Sequence, residues 1–126
     1  MKKVREFKGF TLLELLIVVV ILAILAGLAL PQYLRTVARA KEAEGWTNLS
    51  TLRSAQTRYY AEYQAYQVTG GFGKLDVDIP AAAAGMFAYS AAVTGNTFTA
   101  TALPSAAKCQ LCRTLTVQDT GARSAF

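Results

Sequence analysis

The sequence has no histidine and only two cysteines among its 126 residues. Without histidine the chain can form neither a Ser-His nor a Cys-His catalytic couple, and it has no imidazole to bind a metal. Two cysteines alone make a poor zinc site, and Arg113 after Cys112 excludes the c-type haem attachment pattern. Gly73-Lys74 is not followed by Ser or Thr, which excludes a Walker phosphate loop. The composition therefore predicts a protein that is not an enzyme, with no catalytic residues, no metal and no cofactor.

Charge is nearly absent from residues 10–30, an apolar run that only Thr11, Glu14 and Gly27 interrupt. The run is long enough to cross about 30 Å of hydrocarbon as a helix. The basic stretch before it, residues 1–9, keeps the N-terminus on the cytoplasmic side of a membrane. Residues 10–126 hold nine cationic and seven acidic side chains. That balance is too even to predict nucleic acid as a primary ligand.

Two other kinds of N-terminal segment share some of these features. A secretory signal also joins a basic stretch to an apolar one, and Gly27-Leu28-Ala29 offers it a small-residue cleavage site. Against a signal, the apolar run is unusually long, and Glu14 has no purpose in a peptide that is discarded. The other alternative is a plain single-span anchor that carries an exported redox or binding protein.

Three features occur together in the first third of the chain: Gly9-Phe10-Thr11-Leu12-Leu13-Glu14, the apolar run, and Pro31-Gln32-Tyr33 just beyond it. In this combination the sequence resembles the N-terminus of a type IV pilin precursor. The resemblance implies that a prepilin peptidase cuts between Gly9 and Phe10 and that the new N-terminus at Phe10 is methylated.

The resemblance also implies three segments with separate tasks. Residues 1–9 would be a leader, residues 10–30 the transmembrane and filament-core part of a long helix, and residues 31–126 the rest of that helix with a globular head. The precursor would sit in the inner membrane, N-terminus in the cytoplasm, in contact with lipid. Pilus assembly machinery would then polymerise it with copies of itself into an extracellular helical filament. A type II secretion pseudopilin or a minor pilin is the alternative.

Glu14 is the one charged side chain in the apolar run, and it needs a partner there. An acidic side chain at mid-bilayer costs about 2.5–3.5 kcal/mol on insertion scales. Cleavage after Gly9 would create a free amine on Phe10, four residues before Glu14, whereas the next basic residue is Arg35. We therefore expect Glu14 to pair with this amine and to guide subunit docking. The simpler interpretation is a carboxylate that meets water at the headgroup level.

Beyond the apolar run, the pattern predicts a kink or a locally melted stretch at Pro31 and then an amphipathic helix to about residue 66. Gly45 should weaken the middle of this helix slightly, and Glu42 is assigned to its polar side. The predicted apolar stripe consists of Leu34, Val37, Leu49, Leu52, Tyr59, Tyr63 and Tyr66.

The last third of the chain predicts three or four antiparallel strands, at about residues 86–93, 97–103 and 113–118 and after a turn at Asp119-Thr120-Gly121. The predicted fold class is therefore α+β, with a long N-terminal helix packed on a small antiparallel sheet. Cys109 and Cys112 are interpreted as a structural disulfide formed outside the cytoplasm. A thioredoxin-type redox pair is less favoured, because that motif begins a helix and strands flank this one.

Overall fold

The computed structural model describes residues 9–80 and 85–126. Residues 1–8 of the predicted leader and the alanine run at 81–84 lie outside the described residues. In chain order the elements are helix α1 (Leu12–Tyr63), a 3₁₀ turn (Phe72–Lys74), and strands β1 (Phe87–Thr94), β2 (Thr97–Pro104), β3 (Leu115–Gln118) and β4 (Arg123–Ala125). The strands form one antiparallel sheet in the order β1-β2-β3-β4, which confirms the predicted α+β fold.

The chain divides into two compact units, the first ending at Leu34 and the second comprising Arg35–Phe126. The part of α1 that belongs to the first unit exposes its leucine, isoleucine and valine side chains throughout. The helix is continuous through Pro31. Of the two outcomes predicted at Pro31, the melted stretch therefore does not occur, and a kink stays a prediction.

The core of the second unit lies between α1 and one face of the sheet. Two-residue alternation puts every second strand residue on that face. Its largest fully buried members are Leu49 and Leu52 from α1, with Phe87, Phe98 and Leu115 from the strands. The β1–β2 hairpin turns at Gly95-Asn96, where Gly95 has a φ of 59° that a residue with a Cβ rarely adopts.

Gly45 lies where α1 comes closest to the sheet, which corrects the prediction that it merely weakens the helix. A Cβ built on Gly45 would lie 2.8 Å from Leu115 Cδ1 and 3.1 Å from Phe87 Cε2. These two side chains are fully buried and cannot move aside without disturbing the core. Glycine at this position therefore allows the helix to approach the sheet.

Gln56 fills the gap in the predicted apolar stripe, and it sets the path of the chain after the helix. Its side chain has no exposed surface. Its amide donates to the carbonyl oxygen of Gln67, and its carbonyl oxygen accepts from the Gln67 N–H at 2.8 Å. Because both amide groups are satisfied, the burial of Gln56 carries no desolvation penalty for an unpaired group. The helix ends at Tyr63, three residues before the predicted end, since Gln64 turns into the left-handed region with a φ of 53°.

Glu42 is buried, which corrects its assignment to the polar side of the helix. Only 5% of its surface is exposed. Its carboxylate accepts from the Arg113 backbone N–H at 2.9 Å and from the Arg113 guanidinium at 3.0 and 3.3 Å. The side-chain hydrogen bonds from Arg113 lower the pKa of Glu42 below its usual 4.5, although burial acts in the opposite direction. A buried charge is tolerated here because Arg113 pairs with it completely.

These contacts also fix the segment that carries the two cysteines. Cys109 and Cys112 are joined by a disulfide, as the sequence predicts. Lys41 donates to the carbonyl oxygen of Lys108 at 2.8 Å, just before the disulfide, while Glu42 holds Arg113 just after it. Two consecutive residues of α1 therefore hold both ends of the disulfide loop.

We expect Gly45→Ala to destabilise the head even though alanine is the better helix former. Overpacking against Leu115 and Phe87 costs about 1–3 kcal/mol, against about 1 kcal/mol gained in helix propensity. A net loss near 1 kcal/mol lowers Tm by about 4–8 °C, measured by near-ultraviolet circular dichroism of the detergent-solubilised chain. Gly73→Ala is the matched control, because nothing lies within 4 Å of its Cβ position. An unchanged or higher Tm in G45A would contradict the close-contact role.

Glu42 should make the stability of the head depend on pH. Because its folded pKa is lowered, its contribution is complete above the unfolded value near 4.5 and is lost as the pH falls through the folded value. The Tm of the wild type should therefore exceed that of Glu42→Gln at pH 7, and the difference should shrink as the pH falls below the unfolded value. Glu44→Gln, at an exposed position of the same helix, is the charge-matched control. A Tm difference for E42Q that stays constant with pH would show that the carboxylate charge is not responsible.

Candidate functional site

The residues at the predicted cleavage point lie outside the helix. Gly9, Phe10 and Thr11 have no regular secondary structure, and α1 begins at Leu12. All three are exposed, Phe10 by 80% of its surface, and nothing lies within 4 Å of the Cβ position of Gly9. Exposed, irregular backbone is where proteolysis concentrates. The Gly9–Phe10 bond is thus accessible. Its cleavage stays a prediction.

Thr11 caps the first turn of α1, a role that the sequence analysis missed. Its hydroxyl oxygen accepts from the Glu14 backbone N–H at 3.2 Å, and its carbonyl oxygen accepts from the Leu15 N–H at 3.2 Å. Both are the bonds of an N-cap residue, which satisfies donors that a helix start leaves unpaired. The signal was present as Thr11-Leu12-Leu13-Glu14, the capping-box pattern of Ser or Thr followed three residues later by Glu or Gln.

Glu14 occupies the first turn of the helix. A carboxylate in this position is favoured by the positive end of the helix dipole. The helix dipole is a second stabilising influence beside the predicted pairing with the amine of Phe10. That pairing stays a prediction, because the amine exists only after cleavage.

The disulfide lies far along the sequence from this motif, in the connection between β2 and β3. It closes a short turn whose tip, at Gln110 and Leu111, is exposed. A redox pair of the thioredoxin type would begin a helix, and no helix follows Cys109 within the described residues 85–126. The surroundings thus fit the structural interpretation.

Several tyrosines near the end of α1 pack against one another in pairs. Tyr60 stacks on Tyr66, whose ring contacts Phe98 in the core. Tyr59 stacks on Tyr63, which is 57% exposed and therefore lies at the surface. A hydrogen bond with Glu62 raises the pKa of Tyr63, since the neighbouring carboxylate opposes a second negative charge.

The Tyr59–Tyr63 pair borders a cleft of about 280 Å³. Arg58, Lys74 and Asp76 also line it. Among residues 9–80 and 85–126, no three His, Cys, Asp or Glu side chains converge as they would around a metal. The expectations of no metal and no cofactor stay predictions.

The described part of the chain contains one helix that is long and apolar enough to cross a membrane. It is α1, and its most apolar stretch has no buried residues within the structure. Length and composition alone do not separate an anchor from a signal sequence, so the surrounding motif decides between them.

Comparison with protein families gives two matches that together cover most of the chain. Residues 5–30 match the prokaryotic N-terminal methylation motif. Residues 31–116 match the family described as type IV minor pilin ComP, DNA uptake sequence receptor. The first match contains the predicted cleavage point, and the second contains most of the head, including the disulfide.

Curated relatives agree with the family matches. The chain is 46% identical over 59 residues to the type IV major pilin protein PilA of Myxococcus xanthus, covering 47% of this chain and 27% of PilA. It is 33% identical over 94 residues to the fimbrial protein EcpC of Eikenella corrodens, covering 75% and 61%. It is 39% identical over 69 residues to the type II secretion system core protein G of Vibrio cholerae, covering 55% and 47%.

These alignments span between about a quarter and three-fifths of each relative's length. They nevertheless agree with the family match, which covers more than half of this chain and includes most of its folded head. The methylation motif precedes that match without a gap. With its long apolar helix, its antiparallel sheet and its methylation motif, the chain belongs to the type IV pilin family.

Proposed function

We propose that this chain is a structural subunit of a type IV pilus. It is stored in the inner membrane as a prepilin, cut between Gly9 and Phe10, methylated at Phe10 and polymerised through α1 into an extracellular filament. The observation that carries the proposal is an exposed, non-helical Gly9–Phe10 bond that lies directly before the apolar first part of α1, whose side chains are exposed. The match of residues 5–30 to the methylation motif supports the same assignment.

The uncovered helix determines which partners the subunit needs. Leucine, isoleucine and valine side chains on all sides of a helix require lipid or other apolar helices around them. Lipid would supply this environment before assembly, and the helices of neighbouring subunits would supply it in the filament. A prepilin peptidase and the pilus assembly machinery complete the set of partners.

The pseudopilin alternative is not favoured, because the family that matches the head is a pilin family. The minor-pilin alternative is favoured by one observation, the description of that family as a DNA uptake sequence receptor. Residues 31–126 hold nine cationic and six acidic side chains, a modest excess for a DNA-binding surface. A DNA-binding minor subunit is therefore the second candidate. Binding of double-stranded DNA to purified filaments that weakens steeply with salt would favour it.

Cleavage after Gly9 is the first test of the proposed function. The mature protein from sheared surface filaments should begin at a methylated Phe10 by mass spectrometry. Gly9→Val adds a branched side chain at the cut and should accumulate as the uncut precursor. Gly27→Val, at an exposed helical position with open space around it, is the matched control and should be processed normally. A mature chain that begins at Met1 or near Leu30 would rule out the proposal.

Glu14 provides the second test, because docking requires its charge and membrane insertion does not. Glu14→Ala should insert in the membrane at least as well as the wild type, since an apolar side chain is less costly there. It should accumulate as a membrane-bound subunit and polymerise poorly.

Glu14→Gln separates the two contributions that the carboxylate makes. Glutamine can replace glutamate in a capping box, but it cannot pair with the amine of Phe10 as an anion. Filament yield per membrane-bound subunit should therefore be low in both E14A and E14Q. Normal filament yield in either variant would disprove the docking role of the charge.

A further inference from the structure

The first hydrogen bonds of α1 place the Gly9–Phe10 bond before the start of the helix. The Thr11 carbonyl accepts from Leu15, and the Thr11 hydroxyl accepts from Glu14, so the helical ladder starts at Thr11. Gly9 and Phe10 then precede the cap, with exposed backbone. A peptidase must bring the scissile carbonyl into its own active site, and a carbonyl engaged in a helix cannot enter it freely.

Loss of the Thr11 hydroxyl would change this arrangement. Phe10 has no side-chain acceptor and cannot cap a helix, whereas glycine is a workable N-cap residue. Gly9 is therefore the next cap available upstream. With Gly9 as the cap, its carbonyl would accept the first helical hydrogen bond, from the Leu13 N–H. The bond to be cut would then belong to the first turn.

We infer that Thr11 is a positioning residue for leader removal. Its hydroxyl caps α1, so that the helix begins only after Thr11, the second residue beyond the cut. The Gly9–Phe10 bond therefore stays outside the helix and available to the peptidase. The inference rests on the proposed function, because it presumes that the chain is a substrate of a prepilin peptidase. The Thr11 cap would thus both stabilise the helix and keep the bond to be cut accessible.

Four substitutions at Thr11 separate capping from side-chain shape. Thr11→Ser and Thr11→Asn keep an N-cap acceptor and change the shape, while Thr11→Val keeps the shape of threonine and removes the acceptor. Thr11→Ala removes both. T11V and T11A also differ in helix propensity, so an equal effect in both would be due to the lost hydroxyl rather than to propensity.

The experiment measures the cleavage rate of the full-length precursor in membrane vesicles that contain a prepilin peptidase. The amount of inserted precursor is quantified first, so that rates are compared per inserted molecule. T11S and T11N should be cut within about twofold of the wild-type rate, and T11V and T11A about fivefold more slowly, the factor that corresponds to a typical cap of about 1 kcal/mol. Rescue by T11S would show that the hydroxyl, rather than the shape of the side chain, sets the cleavage rate.

Two results would overturn the inference while leaving the proposed function intact. One is a wild-type rate in T11V together with a slow rate in T11S, which would mean that the peptidase reads the shape of the side chain. The other is the same rate in all four variants. A wild-type precursor that is not cut after Gly9 would instead overturn the proposed function and this inference together.

Discussion

The apolar half of α1 imposes the strongest constraint on this protein. Residues 12–34 expose leucine, isoleucine and valine on every side, and each such side chain left in water forfeits about 1.5–3 kcal/mol of burial free energy. Nothing else in the described chain covers them. The helix therefore requires an apolar environment, and in the proposed function lipid supplies it before assembly and the helices of other subunits supply it afterwards. The proposed storage in a membrane and the proposed assembly into a filament would both meet this physical requirement.

In the head the constraint is different, because a stable core must be formed from few large apolar side chains. Its strands are rich in alanine and threonine, so the buried volume depends on a small number of large side chains such as Phe87, Phe98 and Leu115. Gly45 allows the helix to approach these closely. Where apolar side chains are lacking, Gln56 and Glu42 take buried positions with complete hydrogen bonding. Both then fix a connecting segment to the helix, so the polar groups organise the loops while the apolar groups supply the burial.

The disulfide loop illustrates this division of tasks. A bridge that closes so few residues contributes only about 2 kcal/mol in the chain-entropy account. The position of the loop depends on two residues of α1. Lys41 binds Lys108 just before the disulfide, and Glu42 binds Arg113 just after it. The covalent bond shapes the turn, whereas the ion pair with Arg113 determines where the turn lies on the helix.

The sequence by itself determined the N-terminal half of the molecule, because the relevant interactions are local. Apolar periodicity and the Gly9–Phe10 junction act within a few residues, and the alternation of the strands is equally local. Tertiary structure alone decided the positions of Gly45 and Glu42. From the sequence, Gly45 is interpreted as a weak point of the helix because it is a glycine, and Glu42 is interpreted as a surface charge because of its helical spacing. Each acquires its role from residues far along the chain, Glu42 from an arginine 71 positions away, and only packing brings such partners together.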